Sequence, residues 1–369
     1  MNIAVLTSSR ADYSIYLPLL KKIKADPFFN LSIIAFGTHL SPLYGHTIDQ
    51  IIQDGFDVDW QLETVPKNDS PVAIANSMGK TITEFSKVWD KNEYDLVFCL
   101  GDRYEMFAAC ASSLPFNIKL AHIHGGEQTL GAIDDAFRHS ISHMAHCHFP
   151  TTDVYYNRIV SLKGNNHGIY NVGALSIDNL LDLELLSIEK FKEVFGIDIS
   201  KPSVLFTFHP ETVSFTRNIE YIATLLEVLS QLKKYQIIIT MPNADTMGQM
   251  IREKLLSFIS HTDNAVGIES FGTLGYLSCM KYCRFMLGNS SSGFVEAAFF
   301  SKPVINVGHR QDGRIRTHNI IDCDINIVDI MTAINDINTI ETDKVIEVYG
   351  KGDTAIKIIS AIKQFYEKL

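Results

Sequence analysis

The chain has no CxxC pair, no unbroken apolar run near the ~20 residues a membrane helix needs, and no excess of basic residues. Each absence removes a class of protein. Its six cysteines (Cys99, Cys110, Cys147, Cys279, Cys283 and Cys323) are dispersed, which excludes a disulfide scaffold. Cys279 and Cys283 fall on one helical face and read as small core residues. The start, Met1-Asn-Ile-Ala-Val-Leu-Thr7, has no basic segment of a signal peptide. Reduced thiols without export signal or anchor point to the cytoplasm. Lys+Arg number 32 against Asp+Glu 42, a formal net charge of −10. Such a chain lacks the global positive field that draws nucleic acid, so a phosphate-bearing ligand needs a focused site. No GxGxxG is present, and no Gly-Lys-Ser/Thr follows the serine-rich stretch described below. Both absences argue against a dehydrogenase and an ATPase.

What is there belongs to a folded enzyme-sized protein. Hydrophobic residues make up 46% and charged residues 20% of 369, enough to bury the cores of two domains. Short apolar runs alternate with amphipathic stretches, the pattern of βα units on a parallel sheet. Strands are expected at 3–6, 31–36, 96–100 and 120–124, with helices from about 13, over 72–89, 104–113 and 134–145. The pattern then restarts, with strands at 204–208, 237–240, 285–287 and 304–307 and helices at 219–232, 247–259 and 293–299. The predicted fold class is α/β: two Rossmann-like, doubly wound parallel-sheet domains facing a cleft. Their boundaries are placed at 1–172 and 173–352, with a C-terminal helix over 353–369 packing back on the first domain. Ile358, Ile362, Phe365 and Leu369 give that helix its apolar repeat. Ligands of such sheets bind beyond the carboxyl ends of the strands, so chemistry is sought there.

Polar residues follow strand after strand at those ends. In Leu287-Gly-Asn-Ser290-Ser291-Ser292-Gly-Phe-Val-Glu296 an apolar run stops at a glycine and three hydroxyls, and a helix begins. Free N–H groups, hydroxyls and a helix N-terminus together favour an anion; a simple N-cap needs only one of the serines. Glu296 either complements the helix dipole or accepts ribose hydroxyls, and spacing alone allows both. Arg10, in Thr7-Ser-Ser-Arg10-Ala-Asp12, is placed to grip a phosphate or to pair with Asp12. Arg310, in Gly308-His-Arg310-Gln311, is its counterpart in the second half. Asp102, in Gly101-Asp102-Arg103, stands at a strand end as a proton-transfer candidate or a partner of Arg103. His122 and His124 precede Gly125-Gly126-Glu127 and share one face if the two-residue period holds. His139 and His143 extend the histidine cluster, but HExxH and other zinc spacings are absent, so no metal site is expected. Pro210 fixes the exit angle of His209, and Asn243 follows the next strand in the same way.

Taken in order, these segments resemble the hydrolysing UDP-N-acetylglucosamine 2-epimerases. The match runs through Thr7-x-x-Arg10-Ala-Asp12-Tyr13, Gly101-Asp102-Arg103, His122-Ile-His124-Gly-Gly-Glu127, Asp134-Asp-x-x-Arg138-His139, Phe208-His209-Pro210, Pro242-Asn243-Ala-Asp245, Gly288-Asn-Ser-Ser-Ser-Gly293 and Gly308-x-Arg310-Gln311-x-Gly313-Arg314. The resemblance implies a GT-B-like fold with UDP between the domains. It implies conversion of UDP-N-acetylglucosamine and water to N-acetylmannosamine and UDP, feeding sialic-acid synthesis. The route it implies is anti elimination to a 2-acetamidoglucal, then hydration. By similarity Arg10, Arg103, His209, Asn243, Ser290, Ser291, Ser292 and Arg310 surround the nucleotide, Glu296 holds the ribose and Phe271 packs near the base. Asp102, Asp134, Glu127, His124 and His209 are the residues it assigns to catalysis. Many members carry Glu where this chain has His124, others carry His as here, and if that carboxylate is the proton carrier its role passes here to His124, Glu127 or an aspartate. No cofactor is implied, and the only partners implied are the nucleotide sugar and further copies in a homodimer or homotetramer. The alternatives are the sister hydrolase of UDP-2,4-diacetamido-2,4,6-trideoxyglucose in legionaminic-acid synthesis, and a non-hydrolysing epimerase.

Overall fold

The computed structural model describes residues 1–242, 245–342 and 346–367. It contains two compact units. The first comprises Met1–Glu127, Asp134–Asp182 and Val348–Leu369, and the second comprises Gln128–Ile133 and Leu183–Glu347.

The first unit is built on a parallel sheet of β1 (Asn2–Thr7), β2 (Asn30–Phe36), β3 (Trp60–Leu62), β4 (Leu96–Leu100), β5 (Leu120–Ile123) and β6 (Cys147–Phe149), in the order β3-β2-β1-β4-β5-β6. The second carries β7 (Ser203–Thr207), β8 (Gln236–Thr240), β9 (Ala265–Ile268), β10 (Phe285–Gly288), β11 (Val304–Val307) and β12 (Ile320–Cys323), in the order β12-β11-β10-β7-β8-β9. Numbered within its own unit, each sheet runs 3-2-1-4-5-6, the doubly wound Rossmann order. Both are buried on two faces, which is why their central strands are continuously apolar. In β1, Ile3 and Val5 enter one core while Ala4 and Leu6 enter the other. In β7, Val204 and Phe206 face one core and Leu205 the opposite one.

The units divide at 182/183 and 347/348, whereas the sequence placed the divisions after 172 and 352. Contacts of the intervening residues explain the difference. Asn179 Nδ2, on the helix Leu175–Asp182, donates to Ser14 O at 2.6 Å, and Ala174 N donates to Tyr349 O at 2.8 Å. The helix Thr354–Tyr366 sinks Ile358, Ile362 and Phe365 into the first unit's core; Leu369 lies outside the described residues. A second departure is the six-residue segment Gln128–Ile133, which belongs to the second unit although its neighbours on both sides belong to the first. Leu130 N donates to Asp312 O at 3.0 Å, and Ile133 N to Thr212 Oγ1 at 2.9 Å. Gly131 lies so close to the Arg310 backbone that a Cβ there would sit 2.5 Å from its Cα. No described helix is long and apolar enough to cross a membrane.

Candidate active site

In a doubly wound sheet the chain reverses direction between the first and fourth strands, and the loops there leave a crevice at the carboxyl edge. In the first unit those loops follow β1 and β4; in the second they follow β7 and β10. Most sequence-predicted site residues stand on these loops or the ones beside them.

In the first unit, Asp12 organises the loop after β1. Asp12 Oδ2 accepts from Ser8 N at 2.9 Å and Ser8 Oγ at 2.6 Å, and burial raises its carboxyl above the usual range despite those bonds. Arg10 is the first, half-buried residue of the helix Arg10–Ala25. After β4, Arg103 turns its guanidinium to Glu105, which is fully buried, at 3.0 Å.

Three residues then converge on Arg138, which projects from the helix Asp134–Met144 and is only 2% exposed. Its guanidinium pairs with Asp102 Oδ2, donates to His124 O at 2.8 Å and lies 3.6 Å from Glu127 Oε2. Glu127 Oε1 stands 3.0 Å from His124 Nδ1 and also accepts from Thr151 Oγ1 at 3.3 Å. A carboxylate only accepts, so His124 Nδ1 carries a proton, and in the neutral imidazole Nε2 keeps the lone pair. That Nε2 is buried and has no hydrogen-bond partner. A histidine oriented by a buried acid in this way is the arrangement of a general base. Asp134 and Asp135 open the same helix, and His139 lies 3.5 Å from Asp135.

The pairing of His122 with His124 on one face does not hold. β5 ends at Ile123, and His124 adopts φ +64°, so the strand period stops one residue short. His122 instead spans Ser142 Oγ at 3.0 Å and Gly101 O at 2.8 Å. The carbonyl can only accept, so Nε2 carries the hydrogen; burial pushes the imidazole down to about 3 and keeps it neutral. Gly125 is required here, since a Cβ would fall 2.9 Å from His122 Nδ1. Among the described residues no three His, Cys, Asp or Glu side chains gather where they could hold a metal.

In the second unit, Gly288 ends β10 at φ +139°, where a Cβ would overlap Thr207 O at 1.8 Å. Only glycine lets the turn pack this tightly on β7. Ser290 then caps a 3₁₀ turn over Ser291–Gly293; its Oγ lies 2.9 Å from Ser292 Oγ, which in turn meets Tyr276 Oη at 2.6 Å. Burial pushes the Tyr276 phenol up to about 12, so it stays a neutral donor. The single helix expected over 293–299 is divided: the α-helix is only Glu296–Phe299, with Glu296 its first residue. The anion site expected at this turn would therefore rest on hydroxyls and nearby N–H groups more than on a long helix dipole. Arg310 Nη1 reaches Asn289 O at 3.0 Å, which ties the cation loop to the serine turn. His209 is 8% exposed and is held through its backbone by Asn289. Phe271 is buried against Phe191 and Phe195, with ring centroids 5.4 and 4.9 Å away, as a core residue of this unit. Asn243 lies outside the described residues. Arg138 and Asn289 are the two organising residues that the sequence left out of the candidate site.

A sequence profile described as UDP-N-acetylglucosamine 2-epimerase matches residues 21–363. The GDP/UDP-N,N'-diacetylbacillosamine 2-epimerase (hydrolyzing) of Campylobacter jejuni is 36% identical over 89% of this chain and 85% of its own. The UDP-N,N'-diacetylbacillosamine 2-epimerase (hydrolyzing) of Legionella pneumophila is 32% identical over 98% and 95%. Among solved structures, the UDP-GlcNAc 2-epimerase of Methanocaldococcus jannaschii in complex with UDP-GlcNAc and UDP superposes with a TM-score of 0.84. It shares 18% identity, over 99% of this chain and 100% of that one, and so establishes the GT-B-like pair of Rossmann domains. With the profile spanning nearly its whole length and relatives above 30% identity, the chain belongs to the UDP-N-acetylglucosamine 2-epimerase family.

Proposed function

We propose that the chain is a hydrolysing 2-epimerase of a UDP-linked 2-acetamido sugar. The observation that supports this most is the His124–Glu127 pair, whose free Nε2 is a base nitrogen at the carboxyl edge of the first sheet. The second unit carries the serine turn and Arg310, groups suited to a diphosphate.

In this reading His124 Nε2 removes the C2 proton, the C1–O bond breaks, and its electrons leave on UDP. The product of that step is a 2-acetamidoglucal. Water adds to C1 while a proton returns to C2 from the opposite face, inverting that centre and releasing a free sugar. Asp134 and Asp102 are the remaining acids for the second proton transfer, with Asp102 held by Arg138. Ser290, Ser291, Ser292, Arg10, Arg310 and His209 stabilise the departing diphosphate, and Glu296 takes the ribose hydroxyls. Overall the reaction is redox-neutral, so the proposal includes no redox cofactor.

For the sugar, the two relatives above favour 2,4-diacetamido-2,4,6-trideoxyglucose, the sugar of their names, over the N-acetylglucosamine placed first from sequence. The second reading, UDP-N-acetylglucosamine to N-acetylmannosamine, is supported by the family description. Proton NMR in deuterated water with each UDP-sugar tests both. The expected result is free UDP and a free 2-epimeric sugar deuterated at C2, formed faster from the diacetamido substrate. A product still linked to UDP would overturn hydrolysis, and an undeuterated C2 would overturn elimination. Faster turnover of UDP-N-acetylglucosamine would transfer the assignment to the second reading.

A further inference from the structure

We infer that Asn289 is the positioning residue of the second half-site, the one group that sets His209, Arg310 and the serine turn relative to one another. The inference rests on the reading that this half-site holds the nucleotide diphosphate. Asn289 is 0% exposed. Its side-chain oxygen accepts from His209 N at 2.7 Å, and its Nδ2 donates to His209 O at 2.8 Å. One carboxamide thus saturates both polar groups of the His209 main chain, and Pro210, next in sequence, has no N–H to offer in exchange.

The backbone of Asn289 is used as fully. Its N–H donates to Thr207 O at 3.1 Å, and its carbonyl accepts from Arg310 Nη1 at 3.0 Å and Gln311 Nε2 at 2.8 Å. Ser290, the cap of the serine turn, is the next residue. Three separate loops, after β7, β10 and β11, are therefore registered through this one residue. At neutral pH a carboxamide of this length donates and accepts from two separate atoms without charge, which makes the chemistry testable. Asp keeps the acceptor but opposes a carboxylate oxygen to the His209 carbonyl unless it is protonated.

The experiment is calorimetric titration of UDP into the full-length protein and its variants. N289A should weaken UDP about 30-fold, the equivalent of two buried hydrogen bonds. In an H209A background the same change should cost less than about threefold, because the Asn289 side chain acts through His209 while its main chain, kept in both variants, holds Arg310. N289D should bind poorly at pH 8 and close most of its gap to the wild type by pH 5.5, as the introduced acid gains the missing proton. Full additivity with H209A, or a pH-independent gap for N289D, would overturn the inference, and N289D keeps the test open if N289A does not fold. A wild type that binds no UDP would instead sink the reading of the half-site itself.

Discussion

Arg138 shows how one side chain decides the state of several others. A guanidinium that is 2% exposed cannot stay unpaired, and it meets Asp102, Glu127 and the His124 carbonyl at once. Glu127 is bonded to His124 and Asp102 is matched by Arg138, while His124 Nε2 stays buried without a hydrogen-bond partner. We expect His124→Gln to lower sugar conversion by about 100-fold or more while UDP affinity stays within about twofold. Single-turnover kinetics and UDP titration check it, and conversion within about threefold of the wild type would remove His124 from proton transfer. Asp102, His124 and Glu127 were legible because each is a polar residue just past an apolar run. Arg138, though quoted in the resemblance, and Asn289 were not assigned to the site, because nothing in spacing shows that neighbours distant in sequence gather on a mid-helix arginine or a turn asparagine.

Among the elements, the strands read from sequence were the central ones. β3, β6, β9 and β12 were not, and these are the four edges of the two sheets. An edge strand lies beside one neighbour, so it can be short and broken by polar residues: Trp-Gln-Leu, Cys-His-Phe and Ile-Ile-Asp-Cys carry no continuous apolar run. The C-terminal helix was visible from its periodicity, but its cap was not. Asp353, the residue before it, makes no capping bond; Asp178 does so from 176 positions away, accepting from Thr354 N at 3.0 Å and Ala355 N at 2.7 Å. Asp178→Ala should cost about 2 kcal/mol, since two charge-assisted bonds vanish and two buried N–H groups lose their acceptor. Urea unfolding gives the number, and hydrogen exchange over residues 354–366 should show the helix opening first. A loss under about 0.5 kcal/mol would mean that packing of Ile358 and Ile362 alone holds it.

At the scale of the whole molecule, the first unit carries an acid liability of its own. His39, His122 and His148 are all buried there, and desolvation lowers them from 6.5 to about 4, 3 and 3. Thr7 and Thr47 occupy the two nitrogens of His39 at 2.8 Å each, whereas neither nitrogen of His148 has a partner. A lowered imidazole binds its proton later in the folded state than in the unfolded chain. The stability it confers is therefore complete above pH 6.5 and lost as pH falls toward 4 and 3, at about 1.4 kcal/mol per pH unit for each group. Asp12 and Asp178, raised by burial, act with the opposite sign and offset part of the loss. Three histidines therefore set a fall in stability between pH 7 and pH 5, which the two acids reduce. The molecule contains its own reporter, because both tryptophans, Trp60 and Trp89, lie in this unit. Urea unfolding followed by their fluorescence should show the fall. His148→Leu, which removes two unsatisfied buried nitrogens, should flatten the slope below pH 6.5 by about one histidine's share. An unchanged slope in that variant would mean that His148 reaches water in the folded protein and takes its proton there.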